Sequence, residues 1–222
     1  MTYFVLKIIA IFSMLIDHSG YIIFNGFSFF NYIGRLAFPI FAFCITEGYI
    51  HTKNKKKYLL RLFLCAVFSQ IPYMLFRSII SNEIFFNTIF TLTLGLITII
   101  FYNYTNNKIL KVLILLVFPF ISLLCNFDYD YYGILLIFIF YIFKNNKKLM
   151  NLFFIILVIF YHFLNGLKNI GAFNIYLLLA ISTCLSLIPI NLYNGKKGYN
   201  LKYIFYIFYP LHLIILYLIY II

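Results

Sequence analysis

Long apolar runs punctuated by short clusters of Lys and Asn set the pattern of this chain. Uninterrupted apolar stretches fall at about 4–24, 31–50, 58–76, 84–102, 109–126, 130–143, 149–165, 171–192 and 203–222. A helix needs roughly 20 apolar residues to cross a hydrocarbon core about 30 Å thick. Most of the stretches reach that length, and the sixth and seventh are short enough to be re-entrant or tilted. None alternates as a half-buried strand does, and open strands have no place in hydrocarbon, so each stretch predicts a helix. The expected fold is an all-α polytopic integral membrane protein, a bundle of about nine transmembrane helices in one integral domain over 1–222. No linker or low-complexity segment interrupts it. The first stretch has neither the charged start nor the small-residue cleavage site of a leader, so it is expected to stay as a span.

Composition narrows the class further. The chain is 65% hydrophobic and 10% charged, with a mean hydropathy of +1.02, whereas a soluble domain carries about 25% charged residues. A body of this size cannot hide so much apolar surface from water, which excludes a soluble enzyme, a nucleic-acid module and a disordered tail. The net charge of +12 arises from 17 Lys and Arg against five acids. In a soluble chain that balance would suggest nucleic acid. Here the bases cluster between apolar runs and read as topology signals facing anionic lipid, with no nucleic-acid partner expected. With a cytoplasmic N-terminus, Lys7, Lys53, Lys55, Lys56, Lys57, Arg61, Lys108, Lys111, Lys144, Lys147, Lys148, Lys196, Lys197 and Lys202 all lie inside. Only Arg77 and Lys168 lie outside, and Arg35 is left within a span. That asymmetry predicts nine crossings, N-terminus in and C-terminus out. Cys44, Cys65, Cys125 and Cys184 are scattered one per apolar stretch, so neither a disulfide framework nor a metal site is expected.

Charged and polar groups at membrane depth are the informative residues, because each charge costs roughly 2.5–3.5 kcal/mol to insert. Asp17, His18, Arg35 and His212 stand out. At a rise of about 1.5 Å per residue, His18 lies roughly 22 Å along the first span and Arg35 about 6 Å down the second, so the two meet at similar depth in the outer half. His212, about 14 Å into the last span, is nearer the midplane. Asn87 and Thr91 open the fourth span from the outer side, and Asp128, Asp130 and Tyr132 flank the outer mouth before the sixth. His51, at a basic loop edge, and His162, near the end of the seventh stretch, are expected at the interface. Pro39 cannot donate to the carbonyl of Arg35, nor Pro210 to that of Tyr206, so both free a carbonyl beside a candidate residue.

Several readings of these residues stay open. Asp17 and Arg35 can be a buried ion pair that only registers two helices. An intramembrane His/Asp/Arg set also suits a proton-coupled transporter, although no two-fold internal repeat is visible. For acyl transfer, His18 can serve as general base and Arg35 as cation for the developing oxyanion. Neighbours on a helix point about 100° apart, so Asp17 either supports His18 or reaches across to neutralise Arg35. The basic run at Lys53, Lys55, Lys56 and Lys57 reads either as a topology anchor or as a seat for a nucleotide phosphate.

The segments "LKIIAIFSMLIDHSGYIIF" and "IGRLAFPIFAFCITEGYIHTKNKKKYLLRLFLCAVFSQIPY" resemble the TraX family, whose founding member acetylates the N-terminus of conjugative pilin. "NTIFTLTLGL", "DYDYYGILLI" and "KYIFYIFYPLHLIILYLI" continue the resemblance in the same order over nearly the whole chain. TraX proteins are similar to a wider group of transmembrane acyltransferases, among them lysosomal heparan-sulfate acetyltransferase and bacterial polysaccharide acetylases. The resemblance implies a multi-pass protein of the bacterial cytoplasmic membrane that takes an acyl group from cytoplasmic acetyl-CoA. The resemblance puts the acceptor on the far side of the membrane without fixing it, so an extracytoplasmic peptide amine, a sugar hydroxyl and a glucosamine nitrogen all stay open. Asp17, His18 and Arg35 would then carry the site, with His212 as second candidate, either by direct transfer or through an acyl-histidine. Asn87, Thr91, Asp128, Asp130 and Tyr132 would face the acceptor. Lys55, Lys56, Lys57 and Arg61 would suit the phosphates of coenzyme A. A monomer and a homo-oligomer are both compatible with so apolar a surface.

Overall fold

The computed structural model describes residues 1–81, 83–199 and 202–222, and the side chains of all of these except Lys202 and Tyr203. Lys202, counted above among the inner basic residues, therefore has its side chain outside the described ones. The described residues are helical almost throughout. In order they form α1 (Tyr3–Ile23), α2 (Phe29–Gly34), α3 (Ala37–His51), α4 (Lys55–Arg77), α5 (Thr88–Tyr104) and α6 (Lys108–Leu124). There follow α7 (Asp130–Ile142), α8 (Lys147–Lys168), α9 (Phe173–Leu185), α10 (Leu187–Asn191) and α11 (Lys202–Ile221).

The helix starts are written in asparagine. Asn54, Asn87, Asn107 and Asn146 each precede a helix and accept a first-turn N–H through the side-chain oxygen, which satisfies donors that no helix bond can reach. The cap at Asn87 also explains why α5 begins later than the apolar pattern from residue 84 suggests. Its carboxamide oxygen takes the Ile89 N–H at 3.0 Å, and the residues before it form a loop.

Among the described residues, six stretches are long and apolar enough to cross a bilayer: Tyr3–Ile23, Phe29–His51, Lys55–Arg77, Lys147–Lys168, Ile170–Asn191 and Ile204–Ile221. Thr88–Tyr104 and Asp130–Ile142 are apolar but shorter, and α6 has 17 residues. The seventh apolar stretch, expected to be short, instead builds the 22-residue α8. Asn146 and the basic Lys147 and Lys148 start the helix before its apolar run, and it continues to Lys168. The second span is broken at Arg35 and Leu36, between α2 and α3, where Pro39 in the first turn of α3 has no N–H for the Arg35 carbonyl.

The helices gather into two compact units, one of Met1–Cys44 with Phe143–Phe205 and one of Ile45–Ile142 with Tyr206–Ile222. In the first, α1 packs on α2, α8 on α9, and α2 on α9, around Leu6, Ala10, Ile40, Phe154 and Val158, all fully buried. In the second, α5 packs on α4, α6 and α7, around Leu96, Ile99, Ile134, Leu136 and Ile137. Gly95 lets α5 and α7 approach, since a methyl there would collide with Ile137. The outer faces of α6 and α8 carry rows of exposed Leu, Ile, Val and Phe, such as Leu116 and Phe120 or Ile156 and Phe163. Water would not tolerate patches of that extent and hydrocarbon does.

Candidate functional site

In the first unit, α1 and α2 lie close enough for a carboxylate to rest on a helix backbone. A methyl on Gly20 would meet the Phe30 Cβ and Ser28 Oγ at 2.8 Å, and one on Gly34 would run into the Asp17 side chain. Asp17 Oδ1 accepts from Asn31 Nδ2 at 2.9 Å and lies 3.5 Å from an Arg35 guanidinium nitrogen. Asn31 Nδ2 also donates to the Asp17 carbonyl at 3.2 Å, and its oxygen accepts the Ser28 N–H at 2.6 Å. Arg35 Nε donates back to the Asn31 carbonyl at 3.3 Å. The side chains of Asp17 and Arg35 are 14% and 23% exposed, so the pair is largely withdrawn from solvent but not sealed. Of the two arrangements open to Asp17, these contacts show the one that reaches across to α2.

Asn31, fully buried, is a site residue that the apolar pattern hides. A neutral amide at the start of a span carries no insertion cost worth noticing. Its spacing of four from Arg35, which puts both on one helix face, is the signal that could have found it. Replacing Gly34 by alanine forces Asp17 off this face. The expected result is a loss of about 1–3 kcal/mol, the usual range for overpacking, read as a lowered unfolding temperature in detergent.

His18 is partly buried, and the Arg35 guanidinium lies within electrostatic reach of its ring. The same reach takes in His162 on α8. Contrary to the interfacial position expected for it, His162 is only 7% exposed, because α8 runs on for six residues beyond it to Lys168. Its Nε2 is 3.4 Å from Thr183 Oγ1, whose own proton goes to the Leu179 carbonyl at 2.7 Å. Thr183 is thus left to accept from Nε2–H, and His162 Nδ1, which has no hydrogen-bond partner among the described residues, is a bare imidazole lone pair. His51, by contrast, is exposed, with its side chain 65% accessible and 3.3 Å from Glu47.

The second unit carries His212 and the residues expected to face an acceptor. His212 is buried, donates from Nδ1 to the Phe208 carbonyl at 2.9 Å and stacks on the Phe208 ring. The carbonyl freed by Pro210, that of Tyr206, is met by the Cys65 thiol at 3.6 Å. Asn87 is fully buried and donates to the Ala66 carbonyl at 2.7 Å and to Gln70 Oε1 at 2.9 Å. Thr91 donates to the Asp128 carbonyl, while Thr88 donates to the Asp128 carboxylate at 2.5 Å. Asp130 accepts from Ser122 through its backbone, and Tyr132 is buried. Asn126, Tyr129 and Asp130 hold the turn before α7 with φ of 50°, 68° and 41°. The basic start of α4 belongs to the same unit. Lys55 Nζ donates to the Tyr49 hydroxyl at 3.1 Å and covers its ring at 4.2 Å, Lys56 and Lys57 are exposed, and Arg61 Nε is buried with no hydrogen-bond partner among the described residues.

Comparison with known proteins decides the family: the chain matches the TraX protein family over residues 4–220. This chain belongs to the TraX family. It is also similar to a probable fimbrial assembly protein FimC, serogroup H1, of Dichelobacter nodosus, with 28% identity over 220 positions that cover 91% of this chain and 89% of the relative. No solved structure matches it. The TraX match takes in both the Asp17–Arg35 constellation and the α11 segment around His212.

Proposed function

We propose that this TraX-family chain is a membrane acetyltransferase. It would move an acetyl group from cytoplasmic acetyl-CoA to an amine or hydroxyl of an extracytoplasmic acceptor, a peptide N-terminus or a glycan. The observation that carries this reading is the ion pair of Asp17 and Arg35, bridged by buried Asn31, with His18 beside it in so apolar a chain. A cluster of that kind is costly to keep at membrane depth without a task. His18 takes the proton of the acceptor as its nitrogen or oxygen attacks the thioester carbonyl. Arg35 stabilises the oxyanion that develops there, and the proton is returned to the departing thiolate. Asp17 holds Arg35 in place and His162 supplies a second imidazole on the same side of the reaction. The fimbrial role in the relative's name favours a peptide of a surface-fibre subunit over a glycan as acceptor.

The charge asymmetry of the loops supports nine crossings in a bacterial cytoplasmic membrane, with the N-terminus inside and α4 starting there. Phosphates of the donor fit that start: Lys56 and Lys57 are exposed, so their charge is available, and Arg61 follows one turn on. Alanine at Lys55, Lys56 and Lys57 together is expected to weaken binding of coenzyme A by at least about tenfold, since each lost phosphate contact contributes on the order of 1 kcal/mol. Unchanged affinity by equilibrium dialysis removes the basic cluster from the donor site.

The reading as a whole is tested with labelled acetyl-CoA and the purified protein in nanodiscs, following release of free coenzyme A. Slow release, or a captured acetyl-protein, is the expected outcome. A folded protein that neither binds nor consumes acetyl-CoA overturns it, and a proton-coupled transporter built on the same His/Asp/Arg set then takes its place.

A further inference from the structure

The end of α3 and the start of α4 are drawn together by a glycine. A methyl on Gly48 would meet the Tyr58 hydroxyl at 2.6 Å, so the missing side chain lets the second turn of α4 lie against the last turn of α3. Tyr49, the next residue, is only 4% exposed. Lys55, the first residue of α4, lays its ammonium over the Tyr49 ring, 4.2 Å from the centroid, and donates to the Tyr49 hydroxyl at 3.1 Å.

The phenol is itself anchored from two further helices of the same unit. Asn103 Nδ2 on α5 donates to the Tyr49 hydroxyl at 3.1 Å and to the Ile99 carbonyl at 2.8 Å. A carbonyl can only accept, which fixes the way the Asn103 amide is turned. Its oxygen then takes the Tyr141 hydroxyl of α7 at 2.6 Å, and the Tyr141 ring meets that of Tyr49 edge-on at 5.7 Å. Lys55 therefore rests on a tyrosine that α5 and α7 hold still. Lys56 and Lys57 follow in the same turn, which contains no acid. Both are exposed, and no side chain among the described residues holds their ammonium groups.

A lysine is a point charge on a flexible stem, and ordering that stem when a ligand arrives costs affinity. A stem ordered beforehand avoids that cost. An ammonium carries three N–H donors. The bond to Tyr49 uses one of them, and Lys55 is exposed, so its head can meet a ligand oxygen without leaving the ring. We propose that Tyr49 is a positioning residue that presents Lys55 to a phosphate of the acyl donor, and that Lys55, rather than Lys56 or Lys57, makes the specific phosphate contact. The proposal rests on the acetyl-transfer reading, and adds to it the residue that sets one cation of the basic run apart from its neighbours.

The full chain in nanodiscs of neutral lipid is dialysed against acetyl-CoA and against its 3′-dephospho form. Lys55→Gln is expected to raise the dissociation constant about tenfold, and Lys56→Gln no more than about twofold. Tyr49→Phe keeps the ring and removes the hydroxyl. It is expected to weaken binding about fivefold on its own and to add nothing to Lys55→Gln, a coupling that a merely structural tyrosine would not show. Losses seen with both forms assign Lys55 to the pyrophosphate, and losses confined to acetyl-CoA itself assign it to the 3′-phosphate. Equal effects of Lys55→Gln and Lys56→Gln, a Tyr49→Phe loss that persists undiminished beside Lys55→Gln, or no Tyr49→Phe loss at all overturns the proposal and leaves the donor assignment standing. A wild-type protein that binds no acetyl-CoA overturns both. The two lysine variants change exposed side chains, so their comparison carries the test should Tyr49→Phe fail to fold.

Discussion

His18→Ala is expected to lower acetyl transfer by about 100- to 10,000-fold, the span that a positioned general base contributes, while leaving the protein folded. The bond that ties α1 to α2 here runs from Asn31 to the neighbouring Asp17, which this substitution leaves in place. The measurement is coenzyme A release by the variant in nanodiscs, set beside its circular dichroism and elution volume. His162→Ala is the control that matters. His162 Nδ1 has no hydrogen-bond partner among the described residues, and the charge of the same arginine reaches its ring. If His162→Ala loses turnover and His18→Ala keeps it, the base is His162. If both keep it, neither of these two is the base, and His212 is the imidazole left to carry that role.

The second large effect separates chemistry from scaffolding. Arg35→Leu alone leaves the Asp17 carboxylate without its cation, and breaking such a pair from one side costs about 3–5 kcal/mol. The remaining exposure of the two side chains places the expected loss at the lower end, about 3 kcal/mol. Asp17→Leu combined with Arg35→Leu removes both charges, and replacing a buried pair with apolar groups is often neutral. The double variant is therefore expected to recover most of the unfolding temperature lost by Arg35→Leu, yet to release no coenzyme A. A double variant that is both stable and active would reduce the pair to a register device for α1 and α2. One that stays as unstable as Arg35→Leu would show that Asn31, left with an unmet amide, matters more than the charge.

Much of this molecule is legible from apolar run length. The helices α1, α4 and α11 begin and end within a few residues of the stretches that predict them. Pro39 announces the break after Arg35, since a missing N–H is visible in sequence. Depth puts Asp17 and Arg35 within reach of each other, but the choice between that pairing and support of His18 is made only by the close packing of α1 on α2. What escapes is anything decided by neutral polar groups or by the true end of a helix. Asn31 reads as the edge of a span and is in fact the bridge of the site. His162 reads as interfacial because its apolar run fades at residue 165, but a helix ends where its backbone loses partners, not where its side chains turn polar. The placing of Asn87 and Thr91 in internal bonds between α4, α5 and the turn before α7 depends on packing that no single segment encodes.

The 13 residues of α7 bear on how the protein is made. Such a helix is about 20 Å long, too short to match a hydrocarbon core of about 30 Å. Its Ile134, Leu136, Ile137 and Phe140 are shut away from any surroundings but protein. A segment of this kind does not span the core by its length alone. Its seat is built by α5 and α6, against which it packs, so the three segments are expected to settle in the bilayer as a group. The Thr91 hydroxyl bonded to the Asp128 carbonyl then acts as a latch that forms only when the group is complete.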